Sequence, residues 1–282
     1  TTFAAPLKLW HAYRGAEEDA LKTAVARFSL EFKIDVELLA VPYDTLSSKL
    51  TTSIPHGVGP DVFIFAHERL SLFHRMTMVS PSTEHIDTSR YLSTGIEALR
   101  IDGQTYGYPL SLKALALFVN TNRVQSPTST TDELFPVLKS LSNRETQTFG
   151  LAYEAGDFYF HAPFLFGFGG QLFSAEGRAQ FDTPALTESL RFVRGLSDLG
   201  FIPEEPSGAL VKALFNEGRA AMVISGPWFV GEIDSSIDYE IRPLPVVSST
   251  HKAMTPFLGV EAAFVSSRSE NQSMAQMLAR SL

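Results

Sequence analysis

The feature that most constrains the fold is a continuous apolar run, residues 62–66, directly after a cluster of Pro and Gly residues at 55–60. A strand that is apolar on both faces belongs inside a parallel sheet with helices on each side. Hydrophobic periodicity predicts alternating strands and helices before this run, at 7–10, 17–32, 34–39 and 43–53. This order predicts a right-handed βαβαβ unit in an open α/β sheet.

The remainder of the chain continues the alternation of short strands and helices. An Asp-Gly turn at 102–103 predicts a hairpin. Further strands are predicted at 114–120, 221–224 and 257–265, and further helices at 188–199, 209–217, from Gly226-Pro227 onward and at 271–282. The last pattern has no capping signal at its end, which favours a polypeptide that continues beyond Leu282.

Composition and motifs exclude several classes of function. The net charge is −8 and no block of Lys or Arg is present, so binding to nucleic acid is not expected. The chain has no Cys, and none of its seven His is three or four residues from another, so no metal or cofactor is expected. The nucleophile and nucleotide motifs G-x-S-x-G and Walker A are absent. A carboxylate pair such as Glu17/Glu18 leaves a carbohydrate hydrolase as the enzymatic alternative.

Aromatic side chains stand beside polar ones at several predicted turns. These groups are Trp10/Tyr13/Arg14, Phe65/Glu68/Arg69, Asp157/Phe158/Tyr159 and Trp228. A sugar presents apolar ring faces that stack on aromatic rings and hydroxyls that bind charged or amide groups. In open α/β sheets ligands bind beyond the carboxyl ends of the strands, where several of these groups fall. The pattern therefore indicates a carbohydrate-binding site.

A family resemblance covers the whole chain. It is carried by the segments 59–69, 108–120, 215–222, 226–228 and 256–260, in this order. They are similar to the maltose-binding members of the extracellular solute-binding proteins of ABC sugar importers. The resemblance implies a two-lobed α/β periplasmic-binding-protein fold of type II, each lobe a sheet flanked by helices, joined by crossing hinge strands. Lobe 1 is expected at 1–110 plus 258–282, and lobe 2 at 111–257.

The resemblance also implies the residues that bind a ligand between the lobes. They are Arg14 after the first strand, Phe65 as a cleft aromatic, Glu68 and Arg69 as a hydroxyl clamp, Asp157 as a carboxylate, and Tyr159 and Trp228 as stacking rings. Lys113 departs from the family pattern, since it stands where a ligand-binding glutamate is expected. Lys113 would replace a hydrogen-bond acceptor for the ligand by a donor. Alternatively, Lys113 forms an ion pair with Glu68 or Asp157.

The expected function is capture of maltose- or maltodextrin-like sugars by a non-enzymatic, monomeric protein, and their delivery to an ABC permease. Lys113 motivates the alternative of another sugar or a polyol. The family's last part has no counterpart in these 282 residues, which leaves a sensor or scaffold domain without ligand as a further alternative. The expected location is periplasmic or extracytoplasmic. Tethering to the membrane, or fusion to the permease, through a C-terminal continuation is part of this expectation.

Overall fold

The structure, a computed structural model, describes residues 5–126 and 128–282. The described chain divides into two compact units. Unit 1 contains the residues up to Lys113 together with Leu258–Leu282, and unit 2 contains Ala114–Phe257. The lobes expected from the sequence place the first boundary between the units slightly earlier, between residues 110 and 111. That the two units move as lobes stays a prediction.

Strands and helices alternate through most of the described chain. The strands are β1 (Leu7–His11), β2 (Val36–Ala40), β3 (Val62–Ala66), β4 (Arg100–Ile101), β5 (Gln104–Thr105), β6 (Tyr108–Lys113), β7 (Ala116–Asn120), β8 (Phe149–Ala152), β9 (Ala220–Ser225), β10 (Tyr239–Arg242), β11 (Val246–Val247), β12 (Lys252–Ala253) and β13 (Gly259–Val265). The α-helices are α1 (Gly15–Phe32), α2 (Tyr43–Ser53), α3 (Leu70–Arg75), α4 (Ser93–Glu97), α5 (Thr131–Leu141), α6 (Phe158–Gly167), α7 (Pro184–Asp198), α8 (Gly208–Asn216) and α9 (Gln272–Ser281). Short 3₁₀ helices occupy His67–Arg69, Thr88–Arg90 and Pro227–Glu232.

The main sheet of unit 1 has the strand order β2-β1-β3-β13-β6. Strand β1 pairs in parallel with both β2 and β3, which confirms the βαβαβ unit predicted from the first 66 residues. The apolar strand β3 lies inside the sheet, as predicted, but its other neighbour β13 is antiparallel. Strand β13 also pairs antiparallel with β6, in a register that skips Leu110. The sheet is therefore mixed rather than all parallel.

Alternate residues of β3 supply the cores on the two faces of this sheet. Val62 and Ile64 pack in a cluster with residues of α1 and α9. Phe63 and Phe65 pack in a second cluster with residues of α2 and α3. Side chains of a strand alternate between the two faces, so a strand covered by helices on both sides has to be apolar at every position.

Unit 2 contains a second mixed sheet, of order β10-β7-β9-β8. Strands β8 and β9 are parallel, whereas β7 is antiparallel to β9 and β10 is antiparallel to β7. Residues of α5, α6 and α7 pack in one cluster with alternate residues of these strands, and residues of α8 pack in another. The segment that follows Gly226 is a 3₁₀ helix, whereas the sequence pattern predicted only a helix that opens with proline.

Two buried histidines, His11 and His161, and the half-buried His67 predict how stability depends on pH. Burial lowers the pKa of His11, His67 and His161 below the usual value. As pH falls through about 6.5, the unfolded chain therefore takes up protons that the folded chain does not, and the free energy of unfolding decreases. We expect urea unfolding to show lower stability at pH 5.5 than at pH 7.5.

The variant His161→Gln tests the assignment of this pH dependence to histidine. His161 is 5% exposed and its Nε2 lies 3.0 Å from Ser189 Oγ, a hydrogen bond that a glutamine side chain is able to replace. The loss of stability between pH 7.5 and 5.5 is expected to be smaller in this variant than in the unsubstituted chain. An equal or larger loss would contradict the assignment.

Candidate functional site

Two aromatic side chains of unit 2 follow neighbouring parallel strands. Tyr159 lies in the first turn of α6, which comes shortly after β8, and Trp228 lies in the 3₁₀ helix directly after β9. Because β8 and β9 are parallel neighbours, their carboxyl ends meet at one edge of the sheet. We call this the ligand edge of unit 2, since ligands of open α/β sheets bind beyond such ends.

Four half-buried rings form a continuous series at this edge, which we call the aromatic row. The ring centroids of Trp228 and Tyr159 are 6.4 Å apart, and those of Tyr159 and Phe257 are 6.1 Å apart with an angle of 29° between the planes. Phe257 contacts Phe166 edge to face, with centroids 5.6 Å apart. Each ring keeps part of its surface accessible to solvent. The row therefore offers apolar surface of the kind that binds the faces of sugar rings.

The position of Trp228 depends on the absence of a side chain at Gly226. A Cβ built on Gly226 would overlap atoms of the six-membered ring of the indole. The indole therefore packs directly against the backbone at the end of β9. The adjacent Phe229 is 3% exposed and packs edge to face on Phe118 and Phe215, so the same turn anchors itself in the core.

Asp157 has a structural role next to Tyr159. It is the N-cap of α6, and its Oδ1 accepts a hydrogen bond of 2.8 Å from the backbone N–H of Tyr159. Such a cap satisfies an amide that the helix leaves unpaired. Asp157 is exposed, so its carboxylate remains accessible as an acceptor for a ligand hydroxyl.

The corresponding edge of unit 1 brings together residues that are far apart in the sequence. The carboxyl ends of β1, β3 and β6 meet there with the beginning of β13, because β13 is antiparallel to both β3 and β6. We call this the ligand edge of unit 1. It places Tyr13, Lys113 and Glu261 next to one another.

These residues and Glu17 form a group, linked by ion pairs and a hydrogen bond, that we call the Lys113 cluster. Lys113 Nζ lies 2.8 Å from Glu261 Oε2 and 3.7 Å from Glu17 Oε1. Tyr13 donates a 2.8 Å hydrogen bond to the same Oε2 atom, and Lys113 Nζ lies 5.4 Å from the centroid of the Tyr13 ring. Burial, and then the negative charge of Glu261, raise the pKa of Tyr13, so its hydroxyl remains a donor. The partner of Lys113 is Glu261 rather than Glu68.

Arg14, Glu68 and Arg69 are exposed residues after strands of unit 1. Arg14 is the N-cap residue of α1, and Glu68 and Arg69 belong to the 3₁₀ helix that follows β3. His67, in the same 3₁₀ helix, accepts a 3.0 Å hydrogen bond at Nδ1 from the backbone N–H of Val260, which fixes the turn against β13. Both Glu68 and Arg69 are accessible at the ligand edge, and their role in binding stays a prediction.

The placement of Phe65 requires a correction. Its side chain is 2% exposed and lies in the core of unit 1, edge to face with Phe73. Tyr43 stacks on its ring, with centroids 5.0 Å apart, and is itself 39% exposed. Because the Phe65 ring is buried, neither of its faces is accessible to a sugar. Phe65 instead packs against Tyr43, which is the accessible ring at this position.

The described residues contain no group of three or more His, Asp or Glu that is suited to holding a metal ion. None of the helices in this part of the chain is long and apolar enough to cross a membrane. Each ligand edge is described by its own candidate groups: aromatic rings and a carboxylate in unit 2, and carboxylates and cations in unit 1.

Comparison with known proteins defines the class of this chain. Residues 23–282 match the family described as bacterial extracellular solute-binding protein. The chain belongs to this family of extracellular solute-binding proteins.

Individual relatives agree with this assignment. The chain is 25% identical over 274 residues to a maltotriose-binding protein of Pyrococcus abyssi, covering 95% of this chain and 60% of that protein. It is 27% identical over 280 residues to a galactooligosaccharide-binding protein of Bacillus subtilis, covering 93% of this chain and 65% of that protein. The chain thus spans somewhat less than two thirds of the length of these relatives.

A solved structure shows the same fold. The Thermus thermophilus maltotriose-binding protein, bound with maltotriose, superposes with a TM-score of 0.89 at 25% sequence identity. The match covers 98% of this chain and 76% of that one. The fold class expected from the sequence is confirmed by this likeness.

Several residues of the candidate site, among them Glu261, Phe257 and Tyr43, were not among the residues predicted from the sequence. Glu261 has a detectable signal, because it is the only charged residue of the apolar strand β13 and a buried carboxylate needs a partner. Phe257 lies within the segment 256–260 that carries the family resemblance, but it has no polar or aromatic neighbour that marks it as a binding residue. Tyr43 at the start of α2 has no sequence signal that separates it from other exposed rings.

Proposed function

We propose that the chain captures maltooligosaccharides outside the cytoplasmic membrane and delivers them to an ABC permease. The observation that carries this proposal is the aromatic row, with Trp228, Tyr159 and Phe257 at the ligand edge of unit 2. Support comes from the Pyrococcus abyssi relative and from the solved structure, whose names state maltotriose binding. Membership of a family of solute-binding proteins supports a role in binding without catalysis.

Each unit offers its own groups for contact with a sugar. In unit 2 the aromatic row covers the apolar faces of glucose rings and Asp157 accepts from hydroxyls. In unit 1 the hydroxyls meet the exposed charged residues Arg14, Glu68 and Arg69 and the Lys113 cluster. Charged groups form stronger hydrogen bonds with hydroxyls than neutral groups do, and they fix the orientation of the sugar.

The galactooligosaccharide-binding relative supports a second candidate, a sugar of another type. Aromatic stacking recognises any pyranose face, so the aromatic row alone does not select glucose. The charged residues of unit 1 are the groups able to discriminate between hydroxyl patterns. Direct comparison of sugars therefore separates the two candidates.

Isothermal titration calorimetry with maltose, maltotriose, maltotetraose and a galactooligosaccharide tests the proposal. We expect saturable heat with maltotriose or maltotetraose. Binding of the galactooligosaccharide alone would replace the proposal by the second candidate, and no heat with any sugar would favour a scaffold domain. Chromatography after long incubation with maltotriose is expected to show no shorter product, since a shorter product would indicate a hydrolase.

Three further points belong to the same proposal. The chain acts as a monomer, units 1 and 2 act as the lobes expected from the sequence, and the location is extracytoplasmic. Membership of an extracellular family supports the location. Tethering through a continuation beyond Leu282 stays a prediction. Light scattering at several concentrations tests the monomer, and a concentration-dependent mass would contradict it.

A further inference from the structure

The Lys113 cluster holds a cation at the ligand edge of unit 1. The Lys113 side chain is 16% exposed and stands at the end of β6, next to the ring of Tyr13. A lysine without a counter-charge at such a position would attract anionic ligands, because an ammonium group is a point charge that binds carboxylate or phosphate. The structure shows the opposite arrangement.

Two carboxylates surround the Lys113 ammonium. Glu261 lies 2.8 Å away with its side chain 11% exposed, and Glu17 lies 3.7 Å away with its side chain 44% exposed. The three charged groups together carry one negative charge. Since Glu261 is almost buried, water screens its interaction with Lys113 less than it screens a surface pair. An anionic ligand at this edge would therefore meet excess negative charge.

Hydrogen bonds hold Glu261 in this position. Its Oε2 accepts from Tyr13 at 2.8 Å and lies 3.5 Å from the Ser111 hydroxyl. The carboxylate thus comes from β13, its cation from β6 and its hydroxyl donor from the residues after β1. Contacts with these three groups hold the carboxylate at the ligand edge.

We propose that Glu261, together with Glu17, sets the charge selectivity of the site by cancelling Lys113, so that neutral sugars bind and anionic sugars are rejected. This inference rests on the proposed sugar-binding function and assigns Glu261 as its specificity-determining residue. Lys113 then serves as a hydroxyl donor without attracting acidic sugars. The arrangement also explains how a lysine at this edge is compatible with a neutral ligand.

The test compares neutral maltotriose with two singly oxidised derivatives of it. One carries a carboxylate at the reducing end and the other at the terminal primary alcohol of the opposite end. The unsubstituted chain is expected to bind maltotriose more tightly than either derivative. In the variant E17Q/E261Q the cluster carries one positive charge, while the new amide on β13 keeps an oxygen that accepts from Tyr13. We expect the preference for the neutral sugar to decrease about tenfold or more for at least one derivative.

Two matched variants distinguish this local effect from a general change of net charge. E18Q/D19N also removes two negative charges, on the same helix as Glu17, but they are the carboxylates that pair with Lys22 rather than those at Lys113. It is expected to leave the preference unchanged. Adding K113M to E17Q/E261Q removes the remaining positive charge. The triple variant is therefore expected to bind the anionic derivative less tightly than E17Q/E261Q does and to regain the preference for neutral maltotriose. Thermal unfolding of each variant checks that it is folded.

The outcomes separate the two proposals. If the unsubstituted chain binds maltotriose but E17Q/E261Q keeps its full preference for it, the charge-selectivity inference is overturned and the proposed function stands. The same holds if E18Q/D19N shifts the preference equally. If the unsubstituted chain binds no neutral maltooligosaccharide, the proposed function is overturned and the inference falls with it.

Discussion

Replacing Trp228 by alanine is expected to weaken maltotriose binding by ~2 kcal/mol or more, about 30-fold, with little loss of stability. The indole is half-buried and lies at one end of the aromatic row, beside Tyr159, so its removal deletes a stacking surface. Calorimetric titration measures the affinity, and urea unfolding measures the stability. Unchanged affinity would show that Trp228 belongs to the core and not to the site.

Two neighbouring residues provide the controls. Phe229→Ala removes a ring that is 3% exposed and is expected to lower stability rather than affinity. Gly226→Ala is expected to act like the loss of Trp228, because the added methyl group would overlap the indole and displace it. If Gly226→Ala retained full affinity, the position of the indole against the backbone would be irrelevant to binding.

Replacing Phe264 by alanine is expected to lower the free energy of unfolding of unit 1 by ~3–5 kcal/mol. Its side chain is completely buried on β13. The ring stacks on Phe63 at 5.4 Å between centroids and contacts Phe73 edge to face at 6.4 Å. Gly107 packs so closely against the Phe264 ring that a Cβ at position 107 would overlap it. The ring therefore fills its space, and its removal leaves a cavity that closes only if the surrounding atoms move.

The two tryptophans allow this stability to be measured for each unit. Trp10 lies in unit 1 and Trp228 in unit 2, and the chain contains no others. In a Trp228→Phe background, urea unfolding followed by Trp10 fluorescence reports on unit 1 alone. Leu30→Ala, at a side chain of unit 1 that is 81% exposed, serves as the control and is expected to change stability by less than about 0.5 kcal/mol. An equally small effect of Phe264→Ala would contradict the prediction.

Local patterns were sufficient to predict most of the elements near the two ligand edges. The run at 62–66 predicted β3 because every one of its residues is apolar, and the spacing of apolar residues predicted α2 with its observed bounds. The antiparallel insertion of β13 next to β3 was not predictable in this way. The pairing joins segments nearly two hundred residues apart, and nothing in either segment specifies the direction of its neighbour.

The sequence predicted the location of site residues that follow the end of a strand. It did not predict the location of residues that depend on which strands pair with each other. Trp228 and Tyr159 follow β9 and β8, so their place at the edge follows from the connectivity. Phe65 is the last-but-one residue of β3 and was expected at the ligand edge, but helices cover both faces of this strand, so its side chain lies in the core. The partner of Lys113 was not predictable from the sequence. Glu261 comes close to Lys113 only because β13 pairs with β6, which places Glu261 opposite Ser111.

The insertion of unit 2 between β6 and β13 has a consequence for biosynthesis. A ribosome completes the whole of unit 2 before it makes β13, although β13 is the inner strand that joins β3 to β6. Until then the apolar strand β3 has an unpaired edge, which is a site of aggregation for a newly made chain. Unit 2 is contiguous and is able to fold during synthesis, whereas unit 1 has to wait for its last residues. Slower translation of the residues after 257 lengthens the time for which β3 lacks its partner β13. We therefore expect it to increase the dependence of folding on a chaperone that binds β3.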